Sequence, residues 1–455
     1  MTTTAERTVP ALADLQPLAT DLPRVDREPV LPAGFAAGGA TCGIKASGRP
    51  DLAIVVATSG PASAAAVFTS NAFAAAPVKL SQRHLGAGHF GVARVVISTS
   101  GSANAATGAN GDADQAAIAS ALALAVGAPV EQTLHLSTGV IGTRLPVDRV
   151  ISGIKDLVPR LGAAPDGWSA AAEALRTTDS RPKLAATRVR LAGGGGEITV
   201  SGIAKGVGMI HPRMATMLAI VLTDAAVEPA TLHALLRGAT VRTWNQLSVD
   251  GDTSTNDTVF LLASGAAGGP SVAQGSAAAQ ALGKAIEAVA RDLARQQAAD
   301  GEGASTLLTC QVSGALDDAD ARAVARSVVS SSLVKAAVHG RDPNWGRVAG
   351  AAGNARVTDA AILVAAGLSA TEAERRAGRS AAVDPDRLRI AIAGHLVFDG
   401  SAGGPVAFDR SAARAAMEAS EVLVRLDLGL GDGTGEAFGC DLTEAYVVEN
   451  SEYTT

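Results

Sequence analysis

The chain has 455 residues, a formal net charge of -6, 47% hydrophobic residues and only 3% aromatics. That length permits two or three domains and a large core packed with small side chains. The charge, with no basic run of five or more residues, argues against a nucleic-acid partner, and no uninterrupted apolar stretch approaches the 18 residues of a membrane span. Cys42, Cys310 and Cys440 are odd in number and far apart, which suits reduced thiols in a cytoplasmic protein and offers no zinc site. Residues 1–30 lack the apolar core of a signal peptide and read as a flexible tail.

In chain order, Asp51-Leu-Ala-Ile-Val-Val-Ala57 and Ala64-Ala-Ala-Val-Phe-Thr69 are apolar runs separated by Ser59-Gly-Pro61, a pattern that predicts a hairpin of buried strands. A third strand is expected at Arg94–Ser98. The small-residue turn Ser100–Gly108 then leads through Asp112 into an alanine-rich helix ending near Val126. It reads as an Asp-capped helix, the alternative being an anion site at the helix start. His135–Gly142 follows a further strand, and taken alone its Thr138-Gly139 pair reads as a turn.

Helices are expected over 148–155 and 168–176, strands around Val189 and Ile198, then helices over 230–240 and 272–297. Leu247–Asp257 is an acid- and hydroxyl-rich loop without the glycine and terminal glutamate of an EF-hand, and reads as a hydrogen-bonded structural loop before a strand at 258–262. Strand, helix and strand recur past residue 300, with a boundary near 310–318. The order fits mixed α/β layers, with no fixed-period repeat and no dinucleotide fingerprint.

Between Lys205 and Leu222 a glycine-bearing loop runs through Ala215-Thr216 into the apolar run Met217–Leu222. Locally this is the start of a core strand. It also places a hydroxyl where self-cleavage before Thr216 would leave an α-amine beside a nucleophile. Such an amine has a pKa of about 7.7–8.0, suited to a general base.

Colinear motifs extend from about residue 34 to the end of the chain. They include Gly43-Ile-Lys45, Asn104–Gly108, Ser137-Thr-Gly-Val-Ile-Gly142, Thr177-Thr-Asp179 with Pro182-Lys183, Lys205-Gly206 with Gly208-Met-Ile210, and Met214-Ala-Thr-Met-Leu218. Asp250–Asp257, Asp300-Gly-Glu-Gly-Ala304, Gly340–Arg347, Gly439–Thr443 and Tyr453-Thr-Thr455 continue the series. Together they resemble the ornithine acetyltransferase family of arginine biosynthesis, of the ArgJ type.

The resemblance implies an αββα sandwich over residues 31–310, of the kind shared with self-cleaving aminopeptidases, and a smaller C-terminal α/β domain over 311–455 whose tail returns to the site. It implies autocatalytic cleavage between Ala215 and Thr216 into an α chain (1–215) and a β chain (216–455), assembled as α2β2. Acetyl transfer from N-acetylornithine to glutamate would pass through Thr216, with Thr138 and Gly139 as the oxyanion pair. Thr178, Lys205, Thr216, Glu302, Asn450 and Thr455 would bind substrate. No metal or bound cofactor is implied, although some members also use acetyl-CoA as co-substrate.

Val207, Arg213, Ser305-Thr306, Phe438 and Glu449 depart from common family choices. They leave the nucleophile and oxyanion pair untouched but bear on which amino acids are used. The competing readings are a secondary-metabolism paralogue with other acceptors, a self-cleaving aminopeptidase or amidohydrolase, and a sensor that binds without turnover.

Overall fold

A computed structural model describes residues 21–192, 196–211, 217–358 and 360–451. In chain order its strands are β1 (Phe35–Ala40), β2 (Leu52–Ala57), β3 (Ala62–Phe68), β4 (Phe90–Ala93), β5 (Val95–Ser102), β6 (Thr133–Val140), β7 (Lys183–Arg190), β8 (Glu197–Lys205) and β9 (Leu218–Thr223). They continue with β10 (Leu247–Ser248), β11 (Thr258–Ala263), β12 (Leu307–Ala315), β13 (Arg389–Ile392), β14 (His395–Asp399), β15 (Gly404–Pro405), β16 (Glu421–Asp427) and β17 (Gly433–Cys440). Three sheets result, in the orders β1-β2-β5-β6, β4-β3-β11-β9-β8-β7 and β10-β17-β12-β16-β13-β14-β15.

Side-chain alternation along the strands builds the layers. In β2, Ala53, Val55 and Ala57 share a core with Ala62, Ala64, Ala66 and Phe68 of β3, whereas Leu52 and Ile54 pack with Ile118, Leu122, Val150 and Ile154 from two helices. On the far side, Ala219 and Val221 of β9 pack with Leu232 and Leu236 of helix Pro229–Arg242 and with Ile286, Val289 and Leu293 of helix Ala277–Ala299. The first two sheets are therefore stacked face to face with helices outside both, an αββα sandwich. Alanine dominates the inward positions of β3.

The third sheet forms its own core with helix Asp318–Ser330 and the helices that follow it. Helix Ala277–Ala299 also reaches this sheet, where Arg291 and Arg295 lie over the Phe438 ring. Within the N-terminal tail, Asp26 makes an antiparallel bridge to Ala186. Among the described residues no helix is long and apolar enough to cross a membrane.

Three local expectations are corrected. β2 and β3 do not form a hairpin: β2 pairs with β1 and β5, while β3 pairs with β4 and β11 in the opposite sheet. Each strand is buried on both faces, and the link through Ser59-Gly-Pro61 crosses between sheets. The helix after Ser100–Gly108 is not Asp-capped. It starts at Gly108 behind Thr107, with no acid in its first turn, and Asp114 instead accepts both contacts of an Arg144 fork. The helix expected from 272 begins at Ala277, because the Ser276 side chain accepts the Ala279 amide and fixes the cap.

A candidate acyl-transfer site between the two stacked sheets

The alternation that builds the core also aims the polar residues at the sheet ends. Leu134 and Leu136 of β6 face the inter-sheet layer, and Thr138 continues their parity. Ile203 of β8 faces the same layer from the other sheet, and Lys205 continues its parity. The two side chains meet, with Lys205 Nζ donating to Thr138 Oγ1 at 3.0 Å. An ammonium cannot accept, so the Thr138 hydroxyl proton remains available to another acceptor.

Thr138-Gly139 is thus the end of a strand rather than a free turn. Gly139 has φ +129°, and a Cβ there would lie 2.3 Å from the carbonyl carbon of Gly101. Only glycine allows β5 and β6 to approach so closely where their register shifts.

Lys205, only 9% exposed, is held from several sides. Gln297 Nε2 donates to its carbonyl at 2.9 Å, and the next amide, Gly206 N, donates to Asp179 Oδ1 at 2.9 Å. Asp179 also accepts from Lys183 Nζ at 2.6 Å, and that ammonium reaches Asp300 Oδ2 at 2.5 Å. Burial alone would raise the Asp179 carboxyl, but Lys183 and Lys205 beside it outweigh this and hold it below the usual carboxylate range. Burial, with the neighbouring Lys183 ammonium, holds the Lys205 pKa below its ordinary value, and Asp179 and Glu302 offset this only in part.

Glu302 stands at the outer end of the site. Thr178 Oγ1 donates to its Oε1 at 2.8 Å, and Asn450 Nδ2, from helix Glu444–Ser451, donates to Oε2 at 3.0 Å. Its own amide donates to the Val207 carbonyl at 2.8 Å. Gly208 leaves room for the carboxylate, since a Cβ there would sit 2.1 Å from Glu302 Oε2. The structure therefore brings Thr138 to Lys205, and Thr178 and Asn450 to Glu302. Ala215, Thr216 and Thr455 lie outside the described residues.

A small cavity is lined by Thr138, Lys205, Gly206, Met217, Asn256 and Asp257, among others. Asn256 Nδ2 donates to the carbonyls of Ala103 and Ser137, tying the 250–257 loop to the strand end that carries Thr138. Asp250 accepts amides from Met209, Ile210 and Asp252, so this loop is hydrogen-bonded as expected.

The supporting roles of Asp179, Lys183, Asp300, Asn256 and Asp257 were not assigned from sequence. Their residues stand in the motifs, but which acid meets which base is a matter of tertiary contact. His135 is a neutral structural residue: burial lowers it to about 3, and its ring nitrogens contact Gln115 and Thr133.

Asp257 is 2% exposed, and among the described residues its Oδ2 has no hydrogen-bond partner. Burial pushes its carboxyl well above the usual range, and Ser254 and Lys205 offset this only in part. A raised folded pKa contributes stability that is fully present below the unfolded value, about 3.9, and is lost as pH rises through the folded one. Asp257→Asn keeps the shape and removes the titration. Melting temperature in this variant is expected to fall less steeply with rising pH above about 4; an unchanged profile would count against a neutral Asp257.

A sequence model described as the ArgJ family matches residues 36–455. The chain belongs to the ArgJ family. Curated ArgJ relatives span nearly the same length. The arginine biosynthesis bifunctional protein ArgJ of Synechococcus sp. is 44% identical over 424 residues, covering 93% of this chain and 96% of that protein. The Thermus thermophilus protein of the same name is 43% identical over 426 residues, covering 93% and 99%. Among solved structures, ornithine acetyltransferase from Mycobacterium tuberculosis, complexed with ornithine, is 40% identical with a TM-score of 0.39, covering 42% of this chain and 99% of that one.

Proposed function

We propose that this ArgJ-family chain is a glutamate N-acetyltransferase of arginine biosynthesis, which cleaves itself before Thr216 and moves an acetyl group from N-acetylornithine to glutamate through an ester on that threonine. The observation that carries the reading is the Lys205–Thr138 contact between the stacked sheets, in a cavity also lined by Met217. Thr216 directly precedes Met217 in the sequence, and Leu218, Ile220 and Leu222 of β9 face the inter-sheet layer.

The α-amine released by cleavage takes the Thr216 hydroxyl proton as the oxygen attacks the acetyl carbonyl carbon. The Thr138 hydroxyl and the Gly139 amide receive the oxyanion, with Lys205 fixing the Thr138 rotor. Collapse breaks the C–N bond, and the α-ammonium returns its proton to the departing ornithine amine. Glutamate's amine then attacks the ester, releasing N-acetylglutamate and restoring Thr216. Glu302, steadied by Thr178 and Asn450, offers a carboxylate to a substrate ammonium, while Lys205 has further N–H bonds for a substrate carboxylate.

The ester stores the acyl group, so no metal or bound cofactor enters this scheme; acetyl-CoA would serve as a second acetyl source feeding the same ester. Thr455 would complete the substrate contacts from the tail. The two fragments are expected to remain paired and to assemble as α2β2 in the cytoplasm.

Thr138→Val keeps the β-branched shape and removes the hydroxyl. Steady-state kinetics should show kcat lower by about 100- to 1000-fold with KM little changed. A KM effect alone would assign Thr138 to substrate binding. Product assays with and without glutamate test the overall reading: N-acetylglutamate must form at the expense of N-acetylornithine. Free acetate released independently of an acceptor would instead indicate a hydrolase.

A further inference from the structure

A second cavity, of about 1290 Å³, is lined mainly by the C-terminal part of the chain together with His211, Asn245 and Gln246, and shares no lining residue with the inter-sheet site. Helix Asp318–Ser330 and helix Trp345–Gly353 supply much of its wall. Arg322, Arg326, Arg347 and Arg356 line it, and among the described residues no aspartate or glutamate does.

Neighbouring arginines show the contrast. Arg376 and Arg379 both contact Asp320, and Arg376 also contacts Asp317, so those carboxylates are already engaged. Arg322 has Asp318 at 3.9 Å, beyond hydrogen-bond reach, although its side chain is only 11% exposed. Arg347 Nη1 donates to a neutral acceptor, the Leu333 carbonyl. A guanidinium withdrawn from water without a close carboxylate is unfavourable unless an anion joins it. Burial accordingly lowers the Arg322 pKa.

We infer that this cavity binds a small metabolite carrying a multiply charged oxyanion group, held by Arg322 and Arg347. A phosphate ester or a polycarboxylate supplies that chemistry, and Arg pairs with either in a fork. The site lies outside the acetyl-transfer site and does not depend on that reading.

Calorimetric titration of the purified full protein at low salt, with inorganic phosphate in one arm and citrate in the other, is the test. Saturable binding of at least one anion is expected, weakening as salt is added. It should be at least ~10-fold weaker in Arg322→Gln/Arg347→Gln, in proportion to a lost charge-assisted contact. Arg375→Gln, which removes an exposed ion pair with Glu372, should bind as the parent does.

Preference for phosphate would name a phosphate ester as the natural occupant, and preference for citrate a polycarboxylate. Retained acetyl transfer in the double variant establishes that it is folded; the single Arg347→Gln variant, weakened by a smaller factor, serves where the double variant does not fold. Absence of saturable binding by both anions, or equal affinity in the parent and a folded variant, would overturn the inference.

Discussion

A Thr216→Ala chain is expected to purify as one intact 455-residue polypeptide, whereas the parent separates under denaturing conditions into fragments ending at Ala215 and beginning at Thr216. Cleavage and transfer ask different things of the same oxygen. In the proposed scheme it attacks the preceding carbonyl carbon in the precursor and an acetyl group in the mature enzyme. Alanine supplies no oxygen for either step and leaves no amine to act as base. Transfer should therefore fall on the order of 10⁴-fold or more, as when a nucleophile that works as a unit with its base is removed. Thr216→Ser keeps the oxygen and should still split. A Thr216→Ala chain that divides at the same bond would place the cleavage chemistry elsewhere.

Lys183→Met should have the largest effect on stability. Lys183 is fully buried and links Asp179 to Asp300, two carboxylates 121 positions apart in sequence. Methionine fills much of the volume but leaves both acids without their cation, and Asp179 is itself buried. Breaking a buried pair in this way costs about 3–5 kcal/mol. Denaturant midpoints at neutral pH, measured in the uncleaved Thr216→Ala background, should reveal it without interference from fragment dissociation.

The network also has a pH signature. Because the Asp179 pKa is depressed, its contribution is present above the unfolded carboxylate value of about 3.9 and is lost as pH falls through the lower folded value. The parent should lose stability on acidification in that range, and the variant should lose less. Catalysis should fall with stability, since Asp179 also fixes the Gly206 amide next to Lys205.

Much of the layering was legible because alternation and apolar runs are local signals. The strands near Val189 and Ile198, and the helices over 148–155, 168–176 and 230–240, all form where the pattern placed them. The pairing of β2 was not legible. Two short apolar runs joined through Gly60 and Pro61 satisfy a hairpin pattern equally well, and only burial on both faces of each strand sends them into opposite sheets.

The site divides in a similar way. Thr138, Lys205 and Glu302 could be named through the family motifs, and the approach of Thr138 to Lys205 follows from strand parity once the sheets are known to stack. The Lys183 bridge and the Asn256 tie to Ser137 connect residues more than 100 positions apart. No spacing rule reaches that far.

In the proposed reaction Thr216 carries the acetyl group between donor and acceptor. Purified mature protein mixed with N-acetylornithine labelled in its acetyl group, quenched in acid before any acceptor is added, should yield a fragment beginning at Thr216 that has gained one acetyl group. The label should leave that fragment when glutamate is supplied. Label on the fragment ending at Ala215, or turnover without covalent label on either fragment, would contradict the account.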